Sequence, residues 1–283
     1  MTTDIRDMKA TAFNTIRDTV REVAKDMARA MAAMCDLIIP RYCIVCGRRL
    51  LLYEKYICIY CVADFPFTYN WRITHNRMAD RFNTMIQRDI EGRMAAPACD
   101  TSQPGREAYA YAAALFLYRG DAPYRRIPYR IKYHGDTAAG RYFGEILGKR
   151  LASARHFDDA DMVIPVPLHW QRKWARGYNQ AEIIAKEVAA ATGASLRTDI
   201  LIRKRKTKTQ TRLDVDSKAR NVKGAFAVRE KFVNSIPPAH HILIVDDVFT
   251  TGATINACFN ALRTIYGPEV RISAVTLAFV DNG

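Results

Sequence analysis

The sequence predicts an α/β fold, a parallel sheet flanked by helices, preceded by a small four-cysteine module and an amphipathic helix. Three observations predict it. From residue 108 onward, short apolar runs alternate with stretches of helical periodicity, the pattern of a parallel sheet covered on both faces. Two Cys-x2-Cys pairs, Cys43/Cys46 and Cys58/Cys61, stand with eleven residues between them. Over the first forty residues, apolar side chains recur every three or four positions.

The elements follow in chain order. Residues 1–39 form the amphipathic leader. Ile5, Met8, Ala12, Ile16, Val20, Val23, Met27, Ala30 and Met34 make its apolar stripe, and Pro40 stops it. Its polar face carries both signs equally, which favours packing on protein over a membrane surface. Residues 40–66 form the cysteine module. Each Cys-x2-Cys pair makes a knuckle that presents two thiolates, and two knuckles close a tetrahedral four-sulfur site. Gly47 suits the turn of the first knuckle, where the backbone needs a positive φ. Structural zinc is the expected metal, with iron as its competitor. Cys35, Cys99 and Cys258 are expected to be ordinary small buried residues.

Residues 67–107 form a connecting segment, with a helix over Asn76–Ile90 and a Pro/Gly-rich linker at 95–106. Residues 108–283 form the α/β domain. Strands are expected at Ala108–Tyr118, Met162–Val166, Ala225–Val228, Ile242–Val245 and Val270–Ala278. Helices are expected at Pro123–Tyr133, Thr137–Ala154, Tyr178–Ala191 and Thr254–Tyr266. Ligands of such sheets bind at the carboxyl ends of the strands.

Composition narrows the function classes. The chain has 283 residues, 49% hydrophobic and 25% charged, which excludes a disordered or collagen-like chain. No charge-free apolar stretch reaches eighteen residues, so no membrane-spanning helix is expected. Asp4, Arg6, Asp7 and Lys9 interrupt any secretory signal, and an odd count of seven cysteines with tight local clustering suits a reducing compartment, so the expected location is the cytoplasm. Of the net charge of +14, residues 161–230 carry +8. A field concentrated in that way attracts phosphorylated ligands or a nucleic-acid backbone.

The most informative segment is Ile242-Leu243-Ile244-Val245-Asp246-Asp247-Val248-Phe249-Thr250-Thr251-Gly252-Ala253-Thr254. A buried strand ends on two carboxylates. A turn of hydroxyl residues and one glycine then leads into a helix. Backbone N–H groups at the helix start, with three threonine hydroxyls, make a cradle of phosphate size. Gly252 lets the backbone approach the phosphate closely. The carboxylates would repel that phosphate, so they must face another part of the same ligand, such as ribose hydroxyls, or a divalent cation.

This segment resembles the PRPP-binding motif of type I phosphoribosyltransferases, with Phe249 where many of them carry a smaller aliphatic residue. Val163-Ile164-Pro165-Val166-Pro167-Leu168-His169-Trp170, then Arg172 and Arg176-Gly177-Tyr178-Asn179-Gln180, resemble the ComF family of competence proteins. So do Arg203-x-Arg205-x-Thr207-x-x-Gln210-x-x-Leu213, Arg220-Asn221-Val222 with Phe226, and the four-cysteine module. The resemblance covers roughly residues 36 to 280 and leaves out the leader.

The resemblance implies a type I phosphoribosyltransferase-like sheet and a set of roles. Asp246 and Asp247 would hold the ribose 2′- and 3′-hydroxyls. Val248, Thr250, Thr251, Gly252, Ala253 and Thr254 would form the PRPP loop around the 5′-phosphate. Pro167, Leu168 and His169 fall where the fold places its pyrophosphate loop. Arg172 and Arg176 would neutralise the pyrophosphate, or else cap and solvate the next helix. Arg203, Lys204, Arg205, Lys206 and Lys208 fall where such enzymes carry a mobile loop, and a plain solvated loop is the competing reading.

The implied chemistry is Mg2+-dependent displacement of pyrophosphate from ribose C1 by an unknown acceptor. The alternative is a non-catalytic protein of DNA uptake that binds single-stranded DNA or senses PRPP, with competence machinery as partner. Trp170 and Trp174 among basic residues suit base stacking, although two tryptophans four apart on a helix more commonly pack inward. An amidotransferase is not expected, because no cysteine follows the initiating methionine.

Overall fold

The computed structural model describes residues 17–24, 26, 27, 30, 31, 34, 39–94, 107–204 and 224–281. Contacts divide the chain into two units, Met1–Asp64 and Phe65–Gly283.

In the first unit, residues 17–24 are helical, as the leader periodicity predicts. Among the described residues of the stripe, Val20, Val23, Met27 and Met34 are each more than half exposed. The cysteine module folds around short backbone ties. Cys43 N–H donates to Arg48 O (2.8 Å), Gly47 N–H to Cys43 O (2.9 Å) and Ile44 N–H to Tyr56 O (2.9 Å). A five-residue helix, α1 (Ile59–Ala63), carries Cys61.

In the second unit, α2 (Arg77–Met94) starts at Asn76, whose Oδ1 accepts from Met78 N–H (3.1 Å) and Ala79 N–H (3.0 Å). Such a cap is worth about 1 kcal/mol. Met78, Phe82 and Ile86 lie four apart and are buried, so this part of the expected connecting segment contributes core. The strands are β1 (Ala112–Tyr118), β2 (Met162–Pro165), β3 (Ser195–Leu196), β4 (Leu201–Arg203), β5 (Phe226–Val228), β6 (His241–Phe249) and β7 (Arg271–Val280). The helices between them are α3 (Arg126–Tyr133), α4 (Thr137–Ala152), α5 (Trp170–Arg176), α6 (Gln180–Thr192) and α7 (Ala253–Leu262).

Five strands form a parallel sheet in the order β1-β7-β6-β2-β3. β4 and β5 form a separate antiparallel ladder. Ile242 and Ile244 of β6 share one core with Cys258, Phe259 and Leu262 of α7 and Phe82 of α2. α4 and α6 pack closely on each other through small residues: a Cβ on Gly148 would stand 2.8 Å from the Ala191 Cβ. The expected strand Ile242–Val245 is too short. Pairing of β6 with β7 continues through Phe249, so both carboxylates lie within the strand.

Strand order places the crevice. From β2 the chain moves outward to β3, and from β6 it moves outward the other way to β7. Neighbouring parallel strands whose connections diverge leave an opening at their carboxyl ends. The loops after β2 and β6 are therefore adjacent, and they are the two loops that carry the sequence motifs.

Candidate functional site

The metal cluster is built from local sequence. The Sγ atoms of Cys43, Cys46, Cys58 and Cys61 all lie within 4.8 Å of one another, with Cys46 and Cys58 3.6 Å apart. A tetrahedral zinc with Zn–S of about 2.3 Å needs S···S separations of about 3.8 Å, so the cluster fits such an ion. Gly47 sits at φ +74°, as the knuckle requires. Glu54 braces the loop between the knuckles: its carboxylate accepts from Leu51 N–H (2.7 Å) and Ile59 N–H (2.6 Å). Those two bonds hold it below the usual carboxylate range. The Arg48 backbone draws the Cys46 thiol down to about 7, while burial pushes Cys58 and Cys61 up. A bound cation would offset that cost. Cys258 is fully buried, as expected, and Cys35 and Cys99 lie outside the described residues.

The second site lies at the end of β6. Asp246 and Asp247 are 8% and 5% exposed. Asp247 N–H donates to Asp246 Oδ1 (2.8 Å), and Asp247 Oδ2 is buried without a hydrogen-bond partner. Ile242, Ile244 and Phe249 all join one core cluster, although strict alternation would turn Phe249 to the other face. The strand thus departs from regular alternation between Ile244 and Phe249, the stretch that holds both acids. Burial first, and then the charge of Asp247, push Asp246 well above the usual carboxylate range. An orphaned buried carboxylate oxygen costs about 1–3 kcal/mol or more. It fits a ligand that brings hydroxyl donors or a cation.

After β6, Thr250 and Thr251 are half-buried and lead to Gly252, the N-cap of α7 at φ +83°. A Cβ there would stand 2.5 Å from Phe249 Cζ and 3.1 Å from Met85 Sδ, so only glycine fits. Ala253 N–H donates to Thr251 Oγ1 at 3.4 Å, and Arg81 Nη1 donates to Thr250 O (3.1 Å). Val248, Ala253 and Thr254 are also half-buried. The loop thus has a helix N-terminus of ten residues behind it, with no side-chain cap on that helix.

The loop after β2 is tied down from behind. Gly177 ends α5 at φ +81°, Asn179 accepts from Ala181 N–H to start α6, and its Nδ2 donates to Val166 O (3.0 Å). Tyr178 OH donates to Ile131 O of α3. Pro167 and Leu168 are half-buried, and His169 is buried with its ring accepting from Gln171 N–H. The Gly-Tyr-Asn sequence is therefore a helix stop, an anchor and a helix start in three residues.

The cations divide. Arg172 is half-buried, and its charge together with burial depresses Arg203, which Asp246 supports. Lys132 of α3 also acts on Asp246, and Asp247 with burial raises the Tyr118 phenol. Arg176 instead bonds Gln180 Oε1 and lies over the Tyr133 ring at 5.9 Å. Arg203 and Lys204 correct the loop expectation: Arg203 ends β4, and Lys204 N–H donates to Ala225 O (2.8 Å). Arg205, Lys206 and Lys208 lie outside the described residues. Sequence reasoning missed Lys132, Tyr118 and Arg81, which reach the site from predicted elements that carry no local motif. The expected inward packing of the tryptophans is also overturned. Trp170 is 69% and Trp174 87% exposed, because α5 has only seven residues and buries none of them.

No protein-family model matches the chain. Competence protein F of Haemophilus influenzae is 32% identical over 115 residues, 40% of this chain and 48% of that protein. DNA utilization protein YhgH of Salmonella typhimurium is 37% identical over 95 residues, 34% of this chain and 40% of that protein. A hypoxanthine/guanine phosphoribosyltransferase of Methanospirillum hungatei is 38% identical over 89 residues, 30% of this chain and 46% of that protein. The matches span less than half the length of each relative. No helix among the described residues is long and apolar enough to cross a membrane.

Proposed function

We propose that this chain, homologous over part of its length to Competence protein F and the DNA utilization proteins YhgH, is a phosphoribosyltransferase-like protein that binds PRPP at the end of β6. The observation that carries the reading is Asp247 Oδ2, a buried carboxylate oxygen without a partner, next to a glycine-capped helix start at the sheet's switch point. Asp246 and Asp247 take the ribose hydroxyls. The Thr250–Thr254 loop takes the 5′-phosphate. The Pro167–His169 loop, with Arg172 and Lys132 nearby, takes the pyrophosphate. Mg2+ with PRPP would supply further charge neutralisation on the phosphates.

In a turnover, the C1–O bond breaks with its electron pair on pyrophosphate. The acceptor supplies the electron pair of the new bond to C1, and where its attacking atom carries a proton, that proton passes to solvent. Fixed cations beside the departing charge lower that barrier. The four-cysteine cluster holds structural zinc, because a closed four-sulfur site leaves no position for substrate.

Calorimetric titration of the zinc-loaded chain with PRPP and Mg2+, with pyrophosphate release followed in the same sample, tests the reading. Asp246→Asn with Asp247→Asn abolishes binding while the fold survives; unchanged affinity refutes the site. Release above the spontaneous rate identifies an enzyme, and binding without release leaves a sensor or an enzyme lacking its acceptor.

A second reading is favoured by the exposed tryptophans. Trp170 and Trp174 stand out from α5 beside Lys173 and form stacking platforms for a single-stranded nucleic acid. Its affinity would fall steeply with salt. Salt-insensitive binding, or Trp174→Ala without effect, rules it out.

A further inference from the structure

A second cluster of charge lies at the carboxyl edge of the sheet, on the flank away from β2. Asp281 follows β7, is 3% exposed, and pairs with Arg77, with Arg119 (3.2 Å) and with Arg81 (3.6 Å). Among the described residues, three guanidinium groups stand against this one carboxylate. The Arg77 and Arg119 side chains are 68% and 64% exposed, so they keep donors facing solvent after serving Asp281.

Arg81 joins the cluster to the crevice. Arg81 donates to the Thr250 carbonyl of the phosphate loop (3.1 Å) and lies over the Phe279 ring at 5.3 Å. Arg119 directly follows Tyr118, whose phenol lies within the field of Asp247.

Strand order gives that flank a direction. Displacement at a saturated carbon puts the incoming atom opposite the departing group. The loop assigned to pyrophosphate follows β2, on one side of β6. β7 and β1 lie on the other side. An acceptor therefore approaches over the ends of β7 and β1, where the arginines stand.

Resting on the phosphoribosyl reading above, we propose that the acceptor is a small molecule bearing a carboxylate, and that Arg77 and Arg119 hold that carboxylate. Guanidinium groups recognise carboxylates through paired, planar hydrogen bonds. A neutral acceptor of the same shape would leave them without that partner.

The test uses the full zinc-loaded chain saturated with PRPP and Mg2+. Three pairs are titrated: nicotinate against nicotinamide, orotate against uracil, and anthranilate against 2-aminobenzamide. At least one carboxylate is expected to bind ten-fold or more tightly than its neutral partner. Arg119→Gln, with its melting temperature checked against the parent, should erase that preference. If PRPP itself does not bind, the phosphoribosyl reading falls and this inference falls with it. If PRPP binds but no carboxylate outcompetes its partner, or none of the six binds, the inference alone is overturned. A preference that survives Arg119→Gln overturns it as well.

Discussion

Gly252→Ala separates two costs at the loop proposed to hold the 5′-phosphate. The first is conformational: Gly252 has φ +83°, and a left-handed alanine costs about 1–2 kcal/mol. The second is steric. The new Cβ meets Phe249 Cζ at 2.5 Å and Met85 Sδ at 3.1 Å. Methionine can give way by a few tenths of an ångström, but Phe249 is 1% exposed and packed edge-on against Phe279 at 5.8 Å. Overpacking of that kind costs about 1–3 kcal/mol. Gly193→Ala is the reference. Gly193 has φ +76° at the end of α6, with nothing within 4 Å of a Cβ. It carries the conformational cost alone. Urea denaturation of both variants is expected to give about 1–2 kcal/mol for Gly193→Ala and about 2–5 kcal/mol for Gly252→Ala. Equal losses, within about 0.5 kcal/mol, would refute the claim that Phe249 closes the space beside the loop.

Asp246→Asn should stabilise the ligand-free chain at neutral pH by about 0.5–2 kcal/mol, read as a raised melting temperature. The sign follows from its raised pKa: the folded state keeps the proton to higher pH than the unfolded one, so stability is lost as pH climbs from the ordinary carboxylate range through the raised value. His241 behaves in the opposite sense. Burial lowers its pKa from 6.5, so stability falls as pH drops through about 6.5 toward the folded value, and His241→Gln should flatten that slope in melting curves. Metal analysis should find about one zinc per chain, and Cys58→Ser should lose it and melt residues 40–63 while the sheet's circular dichroism persists. Trp174→Ala, at a side chain 87% exposed, should leave stability unchanged within about 0.5 kcal/mol, so any loss of single-strand binding reports a direct contact.

Local chemistry was legible in the sequence and tertiary approach was not. The cysteine cluster and most strands of the parallel sheet each rest on residues within about twenty positions of one another, whereas the expected strand at Ala225–Val228 pairs antiparallel with β4, outside that sheet. Lys132 and Tyr118 were illegible because their place beside the acids depends on how α3 and β1 pack, which no short pattern encodes. The end of β6 was misjudged for a physical reason: acids end most apolar runs, yet here the β7 ladder continues past them to Phe249. The tryptophans misled in the other direction. Spacing of four suggests a buried stripe, but α5 is stopped by Gly177 after seven residues, before it can lay a face on the core.

The molecule also contains a hydrogen-bonded chain that imitates catalytic chemistry, and the contrast shows how the candidate site is distinguished. Asp159, His241 and Ser273 are linked at 2.6 and 2.8 Å, the order of a hydrolytic triad. Ser273 is fully buried and His241 is 1% exposed, so no substrate reaches either. Both ring nitrogens of His241 have partners, and the chain ties the starts of β6 and β7 to the loop before β2. At the other end of the same strand the accounting is reversed. Asp247 keeps an oxygen without a partner, Asp246 is held away from its ordinary ionisation, and Gly252 holds a left-handed turn that no other residue would tolerate. Each of these costs stability, and among the described residues the Asp247 N–H and the charge of Lys132 offset only part of the cost at Asp246. Satisfied polar groups at the amino end of β6 act as scaffolding; the unsatisfied ones at its carboxyl end, where the sheet opens, are what supports the proposed ligand site.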